Sequence, residues 1–248
     1  MKDTCIIIPA RFKSSRFPGK PLVDLLEKPM IIRVAELACK VIDKKDIYIA
    51  TDDNRIRNEV IRNGYKCIKT EKEALTGTDR VALVSEKLNY KFFINIQGDE
   101  PLIKPKDIQN CIALKHKFPD YIINGYCFIG KNEDPISKNI PKLVTDKDDN
   151  LIYISRSLIP SNKNDEFIQK RKYKKQVCIY CFTKYELKSF LNFGKKSYLE
   201  QIEDIEILRF LELGMKVKMV KCQDGSLAVD IPSDVKKVEK ALLKQLNN

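Results

Sequence analysis

Several features that define common classes of protein are missing from this sequence. Its 248 residues contain no apolar run near the ~20 residues that span a bilayer, and the short apolar stretch at the N-terminus does not fit a secretory signal. The single histidine, His116, lies between two lysines in a predicted helix, so we expect no catalytic imidazole. A chain of this length buries enough surface to fold without disulfides or metals, and we expect a globular cytoplasmic protein with no membrane partner.

Metal-binding and redox patterns of cysteine are also missing. The eight cysteines include one CxxC spacing, Cys178 and Cys181, and no second pair completes a zinc site. This pair lies in the alternating apolar run 177–182, which predicts a strand, whereas a redox CxxC needs a helix N-terminus to lower its thiol pKa. We interpret the cysteines as small core residues of a protein in a reducing compartment.

The formal net charge of +12 raises the possibility of nucleic-acid binding, because basic patches attract phosphate backbones. The lysines are scattered, however, and the one dense run, 170–175, has neither a repeat nor a nucleic-acid fold signature. We expect a solvated loop at 170–175 and no nucleic-acid partner, with a phosphate-binding strip as the alternative.

Short apolar runs alternate with helical patterns over roughly the first half of the chain, as expected for strands buried on both faces and joined by helices. The predicted strands are 4–8, 47–50, 65–68 and 92–96, and the predicted helices are 30–41, 56–63, 79–88 and 105–117. This alternation predicts an α/β fold with a doubly wound, mostly parallel sheet. Ligands bind at the carboxyl ends of the strands in such a sheet, and polar clusters follow three of them, at 11–20, 51–53 and 97–100.

The pattern changes after about residue 120, where antiparallel strands are predicted. These strands are 121–129, 143–145, 151–155 and 177–182, followed by helices at 184–193 and 198–213, a strand at 217–220 and a closing helix at 233–246. Since the sequence has no repeat and no linker-like segment, we predict one domain, 1–248, with a lid or dimerisation subdomain inserted at about 125–200.

The first polar cluster is cationic. Arg11, Lys13, Arg16 and Lys20 lie within ten residues, next to Gly19. A cationic loop between a strand and a helix suits a polyphosphate, although composition alone leaves an ordinary basic surface loop equally open. The loop matches neither the P-loop nor the dinucleotide GxGxxG pattern.

Two aspartates are candidate metal ligands. Asp99 follows a buried strand and Gly98, which places its carboxylate in the same cleft as the cationic loop. A carboxylate repels a polyphosphate unless a cation lies between them, and Mg²⁺ is commonly held by one or two Asp side chains plus phosphate oxygens. Asp230, at the end of the run 226–229, is the second candidate, with a strand-end or helix-capping role as the alternative.

These residues belong to a series of motifs that covers nearly the whole chain. In order, they are Ile8-Pro9-Ala10-Arg11, Ser15-Arg16-Phe17-Pro18-Gly19-Lys20-Pro21-Leu22, Ala50-Thr51-Asp52, Gly77-Thr78-Asp79-Arg80, Gln97-Gly98-Asp99-Glu100-Pro101, Ser155-Arg156 and Val229-Asp230. The series resembles the CMP-Kdo synthetases, the 3-deoxy-manno-octulosonate cytidylyltransferases. The resemblance implies a nucleotide-diphospho-sugar transferase-like fold and a homodimer that makes a CMP-sugar for lipopolysaccharide or capsule.

The resemblance also implies a reaction and a role for each matched residue. The anomeric hydroxyl of a 2-keto sugar acid would attack the α-phosphorus of CTP, and pyrophosphate would leave. The implied catalytic residues are Arg11, Lys20, Asp99 and Asp230, with Asp99 and Asp230 holding Mg²⁺. The implied CTP-binding residues are Ala10, Arg11, Ser15, Lys20, Thr78, Arg80 and Asp99. The implied sugar-acid pocket consists of Gln97, Arg156, Gln176, Tyr180 and Glu206, with Arg156 placed to bind the carboxylate bidentately.

Three positions on the sugar side depart from the family pattern. Ala74 and Gln176 each stand where the family has a histidine, and Ile207 stands where it has a glutamine. An unpaired buried hydroxyl costs about 1–3 kcal/mol, which is enough to change the preferred acid. Two hypotheses stay open: a Kdo-like acid with altered substitution, or Kdo itself with compensation elsewhere. Further alternatives are a different acid such as a phosphonate, and a non-catalytic protein that binds nucleotides or nucleic acids.

Overall fold

The computed structural model describes residues 3–13, 16–70, 74–131, 133–163 and 172–246. Within them, nine strands form one sheet and two short strands form a hairpin. The strands are β1 (Thr4–Ala10), β2 (Asp24–Leu25), β3 (Lys28–Pro29), β4 (Ile47–Thr51), β5 (Lys66–Lys69), β6 (Phe92–Ile96), β7 (Ile122–Phe128), β8 (Lys142–Thr145), β9 (Leu151–Ser155), β10 (Lys174–Thr183) and β11 (Val217–Lys221).

Helices follow most of these strands. They are α1 (Met30–Cys39), α2 (Asn54–Arg62), α3 (Gly77–Glu86), α4 (Pro105–Lys117), α5 (Lys184–Asn192), α6 (Tyr198–Glu203), α7 (Ile207–Glu212) and α8 (Pro232–Leu246). No helix in the described ranges combines the length and the apolar composition that a membrane crossing requires.

The strand order in the main sheet is β11-β7-β10-β6-β1-β4-β5. The pairs β1–β4, β1–β6, β4–β5 and β7–β11 are parallel, and β10 is antiparallel to both β6 and β7. This arrangement confirms the predicted doubly wound, mostly parallel sheet. A β-bulge between Val177 and Tyr180 interrupts the β10–β7 pairing, and the buried Asn124 side chain donates to the carbonyls of Val177 and Ile179 there.

Helices cover both faces of the sheet, which explains why every residue of β1 is buried. Successive side chains of a strand point to opposite faces. Accordingly, Ile6 and Ile8 pack in one apolar cluster with α1 and α4, and Ile7 packs in another with α3 and α5. A third, smaller cluster joins Val229 to Val238 of α8, which fixes the chain just before Asp230.

The cysteines behave as core residues. All eight are free thiols, and none is exposed. Cys178 and Cys181 lie in β10, as predicted, and burial raises the pKa of both thiols. The thiolate form that redox chemistry and metal binding require is therefore disfavoured.

The helix predicted at 198–213 is wrong in one respect, because the structure divides it into α6 and α7. The backbone of Asp204 adopts a left-handed conformation with φ = 50°, and the Asp204 N–H bonds the Glu200 carbonyl. A residue in this conformation ends a helix. The break leaves the last carbonyls of α6 free for other donors and places Glu206 at the start of α7.

The predicted boundaries of the inserted subdomain, 125–200, cut across the main sheet, since β7 and β10 are both among its strands. Among the described residues, β8 and β9 are the strands that leave the main strand path, and β8 pairs with β10 through Lys174 and Lys175. The role of this region as a lid or a dimer contact stays a prediction.

Candidate active site

The loop after β1 starts at the buried end of this strand, and the turn at Gly19 brings Lys20 back to the same edge of the sheet. Ala10 is 3% exposed and pairs with Thr51 of β4, whereas Arg11 is exposed. Gly19 has φ = 74°, and its N–H donates to the Phe12 carbonyl at 2.9 Å. A Cβ at this position would lie 3.1 Å from the Phe12 ring, so the turn that directs Lys20 to the sheet edge requires glycine. The predicted CTP contact Ser15 lies outside the described residues.

Lys20, Asp99 and Asp230 form one cluster at the ends of β1 and β6, as predicted. The Lys20 Nζ atom lies 2.6 Å from Asp99 Oδ2 and 3.8 Å from Asp230 Oδ1. Arg16 Nη2 is 3.1 Å from the same Asp230 oxygen. Two residues of the cationic loop therefore meet both candidate metal ligands, although these positions are 79 and 214 residues apart in the sequence.

Backbone contacts hold the two carboxylates next to each other. The Val229 N–H donates to the Asp99 carbonyl at 2.9 Å, so the segment before Asp230 runs beside Asp99. The Asp234 carboxylate, in the first turn of α8, accepts from the N–H groups of Asp230 and Ile231 just before the helix. The Asp230 carboxylate faces Arg16 and Lys20. Burial, with a contribution from Asp99, raises the pKa of the Asp230 carboxyl, so a bound cation would be favoured between them.

The chemistry of this donor set fits Mg²⁺. In the described part of the chain, no group of three or more His, Cys, Asp or Glu side chains converges to hold a metal. Two carboxylates alone suit Mg²⁺, which keeps several waters and takes its other ligands from substrate phosphates.

The N-terminus of α3 brings together three more of the predicted residues. The Glu206 carboxylate accepts from the N–H groups of Gly77 and Thr78 at 3.1 and 2.8 Å. A Cβ on Gly77 would lie 2.9 Å from Gln97 Nε2, so Gln97 packs directly on the first turn of α3. Burial raises the pKa of the Glu206 carboxyl. Glu206 thus has a structural contact that the sequence did not predict.

Arg80 turns inward. It is 3% exposed, donates to the Thr70 hydroxyl and lies 3.6 Å from Asp52, and burial lowers the pKa of its guanidinium. Its predicted place beside CTP therefore stays a prediction, while the observed contacts join α3 to the residues that follow β4 and β5.

Arg156 is fixed by backbone carbonyls. Its Nη1 and Nη2 atoms donate to the carbonyls of Lys138 and Asp204 at 2.8 and 2.9 Å, and Nε donates to the Glu203 carbonyl. Its side chain is 27% exposed. Carbonyls carry no formal charge, so they orient the guanidinium without neutralising it. Its carboxylate neighbour, Asp204, is at 3.8 Å, a long ion pair that leaves the guanidinium accessible to a second anion.

Two other predicted acid contacts, Gln176 and Tyr180, have partners on the sheet and in the core. Gln176 donates to the Asn124 side chain on the sheet at 2.9 Å. Tyr180 is 5% exposed and stacks on Phe182. Ile207 is 1% exposed and belongs to the same apolar cluster as Tyr180. The substitution at Ile207 thus lies in the core, which accounts for an apolar side chain at that position.

A cavity of about 100 Å³ lies between the cationic loop and the α6–α7 break. It is mostly polar in composition and combines side chains of both charges. Its lining residues are Arg11, Leu75, Thr76, Lys196, Glu200, Asp204 and Glu206. Arg11 and Glu206 were predicted for the site. Ala74, which also departs from the family pattern, immediately precedes the lining residues Leu75 and Thr76.

Several residues that support the site were not predicted from the sequence. Arg209 is fully buried and binds Asp79 and Glu200, with Nη1 2.8 Å from Asp79 Oδ1 and Nε 2.6 Å from Glu200 Oε2. The sequence carried a signal for Arg209, because it is the one charged residue in the apolar run 207–211, and buried charges are paired. Glu203 and Lys142, which bond Arg156, have no comparable signal in the sequence.

The cytidylyltransferase family model matches residues 5–217. The chain belongs to this family. It is 40% identical to the 3-deoxy-manno-octulosonate cytidylyltransferase of Thermodesulfovibrio yellowstonii, over 96% of this chain and 98% of that protein. It is 38% identical to the 8-amino-3,8-dideoxy-manno-octulosonate cytidylyltransferase of Shewanella baltica, over 97% and 98%.

The structural comparison agrees with this assignment. The cytidylyltransferase chain superposes on the structure of a CMP:2-keto-3-deoxy-manno-octonic acid synthetase complexed with CTP, with a TM-score of 0.88 and 33% identity. The match covers 98% of this chain and 99% of the other. The predicted enzyme class, a nucleotidyltransferase, is thereby confirmed.

Proposed function

We propose that this cytidylyltransferase transfers CMP from CTP to a 3-deoxy-2-ulosonic sugar acid, either Kdo or its 8-amino analogue. The convergence of Lys20, Asp99 and Asp230 at the strand ends carries the proposal. In a chain of the cytidylyltransferase family, this cluster offers carboxylate oxygens to a metal ion and the ammonium group of Lys20 to a phosphate.

In the proposed reaction, the anomeric oxygen of the acid forms a bond to the α-phosphorus of CTP. The bond from that phosphorus to the oxygen bridging to the β-phosphate breaks, pyrophosphate leaves, and the hydroxyl proton passes to solvent. The chain supplies position and charge rather than a nucleophile. Lys20 and Arg11 would bind phosphate oxygens, and Arg156 would bind the carboxylate of the acid.

Asp99 and Asp230 would hold Mg²⁺, which would offset charge on the phosphates. Thr78, Arg80 and Ala10 would lie beside the nucleotide, and Gln97 and Glu206 beside the acid. We also propose a homodimer in the cytoplasm that supplies lipopolysaccharide or capsule synthesis. The free thiols support the reducing compartment.

The test is pyrophosphate release with CTP, Mg²⁺ and a panel of acids comprising Kdo, its 8-amino analogue, a sialic acid and a simple phosphonate. ATP and UTP replace CTP as controls. We expect turnover with CTP and at least one of the two ulosonic acids. Turnover of Kdo would support compensation at Ala74, Gln176 and Ile207, whereas turnover of the 8-amino analogue alone would support altered substitution. Turnover of the phosphonate alone, or of no acid, would contradict the proposal.

A further inference from the structure

The carboxylate of Glu203 accepts hydrogen bonds from Arg156 and from its neighbour Ser155. Its Oε2 atom accepts from the Arg156 N–H at 2.9 Å, and its Oε1 atom accepts from the Ser155 hydroxyl at 2.6 Å. The carbonyls of Glu203 and Asp204 accept from the Arg156 guanidinium. Glu203 therefore fixes Arg156 at both its main chain and its side chain.

Lys142 of β8 holds the opposite side of the same residue. Its Nζ atom donates to the Arg156 carbonyl and, at 2.9 Å, to the Ser137 carbonyl. The lysine is fully buried, yet in the described ranges it has no carboxylate within ion-pair distance. Such a buried, unpaired charge is costly, so a residue kept only for stability would be apolar.

Lys115 shows the contrast. It is also fully buried and also donates to two backbone carbonyls, those of Pro119 and Tyr121. It has a carboxylate partner, however, because its Nζ atom lies 2.8 Å from Glu186 Oε2. Lys115 is thus part of a buried ion pair, whereas the contacts of Lys142 are the carbonyls of Ser137 and Arg156.

Arg156 is oriented but not saturated. A guanidinium has five N–H groups, and three of them bond carbonyls, which leaves two without a hydrogen-bond partner among the described residues. The Asp204 carboxylate forms a long ion pair with Nη2 at 3.8 Å and a closer one with Lys196 at 2.8 Å. Arg156 therefore keeps both charge and donors for an anionic ligand.

We propose that Glu203 and Lys142 are positioning residues that set the orientation of Arg156 and, through it, the affinity for the carboxylate of the acid. This inference rests on the proposed function, because it takes Arg156 to bind the acid. Neither residue needs to touch the substrate, since each acts through a bond to Arg156.

The test is a double-mutant cycle between Glu203→Ala and Arg156→Ala, with KM measured separately for the acid and for CTP. Glu203→Ala is expected to raise KM for the acid about tenfold or more, because small misplacements of a binding group are costly, while KM for CTP changes less than twofold. In the Arg156→Ala background, Glu203→Ala is expected to have no further effect on KM for the acid. Glu203→Gln keeps one acceptor oxygen and is expected to recover most of the affinity.

Lys142→Met is expected to show the same separation of the two KM values. Glu212→Ala and Lys115→Met are the matched controls. Glu212 accepts from the Leu199 N–H at 3.0 Å, a comparable contact away from Arg156. Both controls are expected to leave KM for the acid unchanged even where they lower the melting temperature. If Arg156→Ala turns over too slowly, the cycle uses Kd of the acid with a non-reactive CTP analogue.

Additive effects of the two substitutions, or an equal rise in both KM values, would overturn the positioning role. Either result can be told from failure of the proposed function, which would appear as wild-type protein that releases no pyrophosphate with any ulosonic acid. The Glu203 variants decide the matter by themselves if Lys142→Met does not fold.

Discussion

At the scale of single residues, Lys20 has two roles that compete. In the structure it lies 2.6 Å from Asp99 and 3.8 Å from Asp230, and Arg16 adds a second cation to Asp230. Two cations therefore balance two carboxylates. A metal ion alone must displace them, whereas a triphosphate draws the same cations to its own oxygens and exposes the carboxylates to the metal.

Lys20→Met is therefore expected to have opposite effects on the two ligands. Without nucleotide, its affinity for Mn²⁺ is expected to rise roughly tenfold, which corresponds to ~1.4 kcal/mol, because the competing cation is gone. Its affinity for CTP is expected to fall. Titration calorimetry of each ligand alone measures both effects, and Lys13→Met, an exposed lysine of the same loop, is the control. A loss of CTP affinity with no gain in Mn²⁺ affinity would contradict the competition.

The meeting of Lys20 with Asp99 could be predicted from the sequence because both follow parallel strands, whose carboxyl ends share one edge. The inward turn of Arg80 and the burial of Ile207 could not. A motif gives the position of a residue in the chain, but the partner of its side chain depends on packing with other segments. Arg80 bonds Thr70, and Ile207 packs in the apolar cluster that contains Tyr180 and Phe182.

At the scale of the elements, a fully buried ion cluster joins α3 to α6 and α7. Arg209 of α7 binds Asp79 of α3 and Glu200 of α6, and Glu206 bonds the first N–H groups of α3. These contacts fix α3, which carries Thr78 and Arg80, against the helices that line the cavity.

Arg209→Met is expected to lower the free energy of unfolding by about 3–5 kcal/mol, because it leaves two buried carboxylates without their partner. Urea denaturation measures the loss. Arg62→Met removes an exposed ion pair with Glu59 and is expected to leave the urea midpoint unchanged. An Arg209→Met midpoint equal to that of the wild-type protein would show that the cluster is not stabilising.

The break between α6 and α7 was not predicted, although the positions of most helices and strands were. The apolar spacing of residues 198–213 continues through the break and gives no sign of it. The left-handed conformation of Asp204 is set by tertiary contacts, namely those of its carbonyl with Arg156 and of its carboxylate with Lys196. Local sequence patterns do not record such contacts.

At the scale of the whole molecule, the charged cluster of the cationic loop and Arg156 lie on different elements. The cluster of Lys20, Asp99 and Asp230 lies at the ends of β1 and β6, and Arg156 lies after β9, against the end of α6. The cavity lined by Arg11 and Glu206 lies between the cationic loop and the α6–α7 break. We assign the triphosphate to the charged cluster and the carboxylate of the acid to Arg156.

The most direct test of this division is steady-state kinetics of Arg156→Ala with each substrate varied in turn. We predict that KM for the acid rises at least tenfold, as expected for the loss of a charge-assisted bidentate contact. KM for CTP is predicted to stay within twofold of the wild-type value. An equal rise in both KM values would contradict the assignment of separate triphosphate and acid sites.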